Sequence, residues 1–237
     1  MQDTLYPVDY AEGRVEQNTF VAKVYGWMSI GLLLTAIVAL ATVNTPSLIA
    51  AIFLNKALFF GLIIGELLLV VVLSAAINRI PAGAATALFL LYAAINGLTL
   101  SVIFLVYTQA SIASTFFVTA GTFGALSLYG YFTKRDLTTI GNLCGMALFG
   151  LIIASVVNLF VANSTLYWVV TYAGVVIFVG LTAYDTQRIR RMAESVSVVQ
   201  DGQEAAIGRL SVIGALILYL DFINLFLLLL RLLGRRR

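Results

Sequence analysis

Long apolar runs separated by short polar breaks dominate the chain. Seven of them, over 24–44, 57–77, 84–106, 111–131, 141–161, 166–185 and 212–230, each hold about the 20 residues that an α-helix needs to cross a bilayer core. The pattern predicts an all-α fold class, a polytopic membrane protein with seven transmembrane helices. Most connections are short, so consecutive helices are expected as antiparallel neighbours in one bundle. Two stretches are polar enough to project: an N-terminal arm (1–22), read as a flexible arm or a short interfacial helix, and the segment 186–211 between helices six and seven. The predicted organisation is therefore the arm followed by one membrane domain, 23–237.

Composition agrees. Of 237 residues 61% are hydrophobic and 11% charged, where a soluble domain carries about 25% charged residues. The net charge of +3 matters less than its placement. With the N-terminus inside, the inner segments hold Arg14, Lys23, Arg79, Lys134, Arg135, Arg188, Arg190, Arg191 and Arg209, against Lys56 alone in the outer loops. This bias marks the cytoplasmic side and predicts a cell membrane protein with a cytoplasmic N-terminus. The tail with Arg231, Arg235, Arg236 and Arg237 opposes the bias, since seven crossings put it outside; either it crosses regardless or one segment enters and leaves on the same side. Residues 1–22 carry more acid than base and the first run is long enough to span, so no removable signal peptide is expected.

The chain has no histidine, which excludes imidazole-based pH switching, zinc sites with imidazole ligands and Ser/His/Asp catalysis. The single Cys144 is read as a packing residue. Gly61 with Gly65, and Gly141 with Gly145, are spaced four apart and are expected to let helix backbones approach closely. In 186–211, Ile189, Met192, Val196 and Val199 recur at helical spacing beside Arg188, Arg190 and Arg191. The sixth helix is therefore expected to continue as an amphipathic piece on the inner leaflet.

Three carboxylates, Glu66, Asp185 and Asp221, fall within or at the edge of apolar runs. An ionised carboxylate at mid-membrane costs about 3 kcal/mol or more, so it persists where it faces the bundle interior, finds a partner or holds a proton. Helices six and seven are consecutive and antiparallel, which makes contact between Asp185 and Asp221 geometrically reasonable. Two carboxylates in contact would share a proton and titrate together in two steps, and once deprotonated would attract a hard cation such as calcium, with Glu66 nearby. The structural reading is that each acid is packed, protonated or paired with Arg79 or Arg188. Asn224 lies one turn after Asp221 on the same face. Tyr92, Asn96 and Thr99 on helix three, and Asn158 on helix five, either line a hydrated path or join helices by hydrogen bonds.

The segments VGLTAYDTQ (179–187) and LYLDFINLFLLLLRLLG (218–234), supported by AINGLTLS (94–101) and YFTKRDL (131–137), resemble the Bax inhibitor-1, or transmembrane Bax-inhibitor-motif, family, and its bacterial inner-membrane members most closely. The resemblance covers nearly the whole chain. It implies two three-helix layers around a central seventh helix, and a pH-sensitive calcium leak gated by an aspartate pair, here Asp185 and Asp221. It also implies an arginine near the inner end of helix two that exchanges partners with that pair, for which Arg79 is the nearest match. Some members are linked instead to restraint of a membrane-bound protease, so a non-enzymatic regulator is the alternative function. The 36 positions between the two aspartates exceed the spacing in smaller bacterial relatives.

The expected partners are membrane lipid, calcium or other cations and, under the alternative, a membrane-bound protease. No nucleic acid and no cofactor beyond transient calcium is expected. An intramembrane aspartyl protease would place one acid and one base on helices six and seven, but the Gly-x-Gly-Asp it needs is missing, since Leu218-Tyr219-Leu220 precede Asp221. A retinal protein needs a lysine on helix seven, and the lysines are 23, 56 and 134.

Overall fold

The computed structural model describes the backbone over 6–76, 79–196 and 204–237, and side chains over 17–76, 79–194 and 206–237. Its named elements are nine helices: α1 (Tyr6–Val43), α2 (Pro46–Leu54), α3 (Lys56–Ala76), α4 (Ala82–Leu100), α5 (Ile103–Val106), α6 (Gln109–Phe132), α7 (Thr138–Val161), α8 (Ser164–Val196) and α9 (Glu204–Leu233). Seven stretches are long and apolar enough to cross a membrane: α1 from Gln17, α3, α4 continued through α5, α6, α7, α8 to Glu194, and α9 from Ala206. They coincide with the seven apolar runs.

Helix breaks follow local chemistry. Pro46 opens α2, where a missing N–H costs nothing, and Pro81 stands as the extended residue before α4. Thr108 caps α6 by accepting from the Ser111 amide at 3.3 Å. Residues 6–22 are helical and continuous with the first span, so of the two forms expected there, a flexible arm or a short interfacial helix, the described part is helical, as an extension of α1; Pro7 sits in its first turn, where proline is tolerated. Likewise α8 runs on to Val196, but Ile189 and Ala193 are 1% exposed. That stretch packs inside the protein instead of lying on a leaflet, because Ile189 meets Gly214 and Val24. Val199 lies outside the described residues.

The chain forms two compact units. The first holds 1–105 and 189–219. In it α4 packs against α1 and α3, and it meets the backbone of α1 at Gly97, where an added Cβ would stand 2.7 Å from the Thr35 carbonyl oxygen and 2.8 Å from Val38 Cβ. The second holds 106–188 and 220–237. Its core is Ile177, Phe178 and Leu181 of α8 with Leu225 and Leu228 of α9, flanked by Cys144, Leu148 and Leu151 of α7.

The glycine pairs behave differently from expectation. Gly61, Gly65 and Gly145 have open space where a Cβ would be, and of the four only Gly141 is covered, by the Tyr184 ring. The reason is exposure: 6% of the most apolar window of α3 is buried and none of that of α7, so most of their surface faces lipid. In α9 the figure is 67%, so most of that stretch is covered by the rest of the protein.

The tail that opposed the charge bias is fixed by backbone pairing. Thr108 N donates to the Arg235 oxygen at 3.1 Å, Arg237 N donates to the Val106 oxygen at 2.9 Å, and Tyr107 and Arg236 form an antiparallel bridge. The end of α9 therefore lies at the same face as the turn before α6. Helices α6, α7, α8 and α9 are each long and apolar enough to cross a membrane.

Candidate functional site

The motif YDTQ (184–187) on α8 is held by three of its side chains. Tyr184 covers Gly141 of α7, Thr186 Oγ1 donates to Ser127 Oγ of α6 at 3.4 Å, and Gln187 closes the α6–α7 turn. Gln187 Oε1 accepts from Leu137 N at 2.9 Å and its Nε2 donates to the Arg135 oxygen at 2.8 Å. One residue before the motif, the Ala183 carbonyl lies where a Cβ on Gly130 of α6 would be. These contacts fix the rotation and depth of α8, and so the direction of Asp185.

Asp185 and Asp221 are neighbours, each carboxyl within electrostatic and hydrogen-bonding reach of the other. They are 7% and 5% exposed. The register that brings them together is set by the core between α8 and α9. Leu181 and Leu225 each lie four residues from the aspartate of their own helix, and Phe178 and Leu228 seven, so antiparallel packing of these leucines and Phe178 aligns the acids. Arg188 Nη1 stands 3.8 Å from Asp185 Oδ1, with the arginine side chain 53% exposed. Asp221 Oδ2 is buried without a hydrogen-bond partner. A charged oxygen there would be costly, whereas a carboxyl pair holding one proton between its members leaves a single charge for Arg188 to answer.

The other expected residues lie elsewhere. Arg79 is exposed in the turn after α3, its amide on the Ala76 oxygen at 2.8 Å, and Asp185 takes its counter-ion from Arg188. Glu66 belongs to the first unit, where Thr99 Oγ1 donates to it at 2.7 Å and Asn96 Nδ2 reaches it at 3.5 Å. Tyr92 lies beside Asn96, and Tyr219 donates to Asn96 Oδ1 at 3.3 Å and shares a 2.7 Å hydrogen bond with Thr35. Tyr92, Asn96 and Thr99 thus join α3, α4 and α9 by hydrogen bonds. Asn158 is half-buried and accepts from Asn163 N at 3.0 Å, closing the end of α7. Asn224 donates to the Leu220 carbonyl at 2.8 Å. Among the described residues no three acidic or cysteine side chains converge as metal ligands.

Sequence reading missed Tyr184, Thr186, Gln187 and Gly130, which hold Asp185 in place. It also missed Tyr219, fully buried with its ring edge-on to Phe89 and Tyr92 at 5.8 and 5.7 Å. A tyrosine at this depth in an apolar run was the available signal. Gln187→Ala is expected to loosen the 135–137 turn, since the Leu137 amide loses its acceptor; limited trypsin digestion should cut after Lys134 or Arg135 faster than in the native chain. Tyr219→Phe keeps the ring packing and removes two hydrogen bonds, so thermal unfolding in detergent should show a loss of about 1–2 kcal/mol. An unchanged melting curve would contradict that role.

A helical membrane protein with a buried, neighbouring carboxyl pair on its last two spans is the class that fold and site define. The profile of the family described as "Inhibitor of apoptosis-promoting Bax1" matches residues 17–237. The chain is 54% identical over 224 residues to the inner membrane protein YbhL of Escherichia coli K12, which covers 94% of each chain. It is 51% identical over 221 residues to an uncharacterized protein of Borreliella burgdorferi, covering 93% of this chain and 94% of that one. An uncharacterized protein of Rickettsia prowazekii is 43% identical over 220 residues, 92% of this chain and 90% of its own. The chain belongs to the Bax inhibitor family.

Proposed function

We propose that this chain is a passive, pH-sensitive cation leak of the inner membrane, selective in use for calcium and gated by the Asp185/Asp221 pair. The supporting observation is the pair itself: two neighbouring carboxyls, almost wholly buried, one with an oxygen that has no hydrogen-bond partner. With a proton shared between them the pair is compact and α9 stays seated against α8. With the proton lost, two like charges repel in a low-dielectric setting and the same oxygens favour a hard divalent cation. Two carboxylates suit passing coordination completed by water rather than a resident ion. The charge bias of the inner segments supports a cytoplasmic N-terminus.

Calcium entry into dye-loaded liposomes carrying the purified protein, measured across pH 5–8, tests this. The expected result is flux that rises as the pair loses its proton. A folded preparation with no flux above empty liposomes would overturn the leak and favour a regulator of a membrane-bound partner.

A further inference from the structure

The face that carries the chain's tail is rich in cations. Arg231, Arg235, Arg236 and Arg237 are all exposed, and no acidic residue occurs within 106–111, 162–168 or 231–237, the segments that meet there. The cluster is built rather than loose. Arg235 N donates to Ser111 Oγ at 3.0 Å, Arg236 Nη2 to Tyr167 Oη at 3.4 Å, and the Arg231 guanidinium lies 5.6 Å from the centre of the Tyr167 ring. Together with the backbone pairing to Val106 and Thr108, these contacts hold a short extended stretch of arginines against the α5–α6 turn. Hydrogen bonding to Tyr107 pushes the Arg236 guanidinium still higher than its ordinary value, so it stays cationic at any physiological pH.

Immediately beside the arginines the surface is apolar and aromatic. Trp168 is 42%, Tyr172 60% and Leu233 55% exposed, and the Tyr167, Trp168 and Tyr172 rings run in series with centroids 5.5 and 6.1 Å apart. Such rings sit at headgroup depth in a bilayer. A soluble anion would satisfy the guanidinium forks but leave this apolar strip bare, whereas a phospholipid supplies phosphate oxygens to the one and acyl chain to the other. We propose that this face is a docking surface for anionic phospholipid headgroups, which accept from Arg235, Arg236 and Arg237 while the first acyl carbons cover Trp168 and Tyr172.

The two tryptophans make a direct test available. In a Trp27→Phe chain, Trp168 is the single indole, and it is reconstituted into phosphatidylcholine vesicles containing brominated phosphatidylglycerol or, at matched mole fraction, brominated phosphatidylcholine. The expected result is Trp168 quenching with an apparent affinity on the order of tenfold higher for the phosphatidylglycerol. The preference should be lost when Arg235→Gln, Arg236→Gln and Arg237→Gln are combined, and should fade on raising salt until the Debye length is about 3 Å. Inorganic phosphate should not displace the lipid. Equal quenching by the two lipids, or a preference that survives the triple change, would overturn the proposal; displacement by phosphate would reassign the site to a soluble anion. If the triple variant fails to fold, the salt dependence in the Trp27→Phe chain decides, since a salt-insensitive preference contradicts a charge-driven surface.

Discussion

Asp221→Asn is expected to give a protein that folds, inserts and stays closed, with calcium flux low and flat from pH 5 to pH 8. Asparagine has nearly the shape of a protonated aspartate and can never carry its charge. Its amide beside Asp185 therefore imitates the pair with the proton in place, at every pH. In the proposed gate, losing that proton sets two like charges against each other, and at about 4 Å and an effective dielectric of 20 such a repulsion is roughly 4 kcal/mol. About 1.4 kcal/mol is a tenfold change in an equilibrium, so the repulsion is ample to turn a mostly closed population into a mostly open one. Asp185→Asn should flatten the profile in the same way while leaving Arg188 without its acceptor. Liposome calcium entry at matched protein density, with melting curves to show that both variants are folded, checks this. A native pH profile in either variant would exclude the pair as the gate, whatever the ion carried.

Gly130→Ala should be among the most damaging single-methyl changes in the chain. The added Cβ would occupy the position of the Ala183 carbonyl oxygen, with the Ala183 carbonyl carbon 3.0 Å away. Backbone cannot rotate aside as a long side chain can, so α6 and α8 must separate locally. Overpacking of this kind costs typically 1–3 kcal/mol, and separation here would also draw Thr186 away from Ser127 and turn Asp185. Thermal unfolding in detergent should show a clear fall in melting temperature, together with a displaced pH profile of flux. Gly61→Ala is the control: nothing lies within 4 Å of that position, alanine favours helix, and stability should hold or rise slightly. Equal behaviour of the two variants would refute the claim that α6 and α8 meet through Gly130.

Both predictions depend on information distributed unequally between sequence and structure. Seven apolar runs were enough for seven spans, because a bilayer imposes length and apolarity on each helix separately and leaves that record in the local composition. The same locality made Asp185 and Asp221 stand out, as carboxyls that an apolar run tolerates only for a reason. Glycine spacing was a poorer guide. Gly61 and Gly65 carry the same four-residue signature as a packing motif yet face open space, while Gly97 and Gly130, which do accept a neighbour's backbone, have no such signature.

The sequence by itself determined that the chain is a seven-span helical membrane protein with three expensive carboxylates and a cationic tail. Only the tertiary structure decided which of those acids are neighbours. Leu181, Phe178, Leu225 and Leu228 set an antiparallel register that aligns Asp185 with Asp221, whereas Glu66 is taken up by Thr99 and Asn96. It also decided that Arg188 answers Asp185 and that the tail is bound at the face of the α5–α6 turn. The physical reason is that helix depth and rotation in a bilayer are set by pairwise packing between distant segments, for which one apolar residue is locally much like the next.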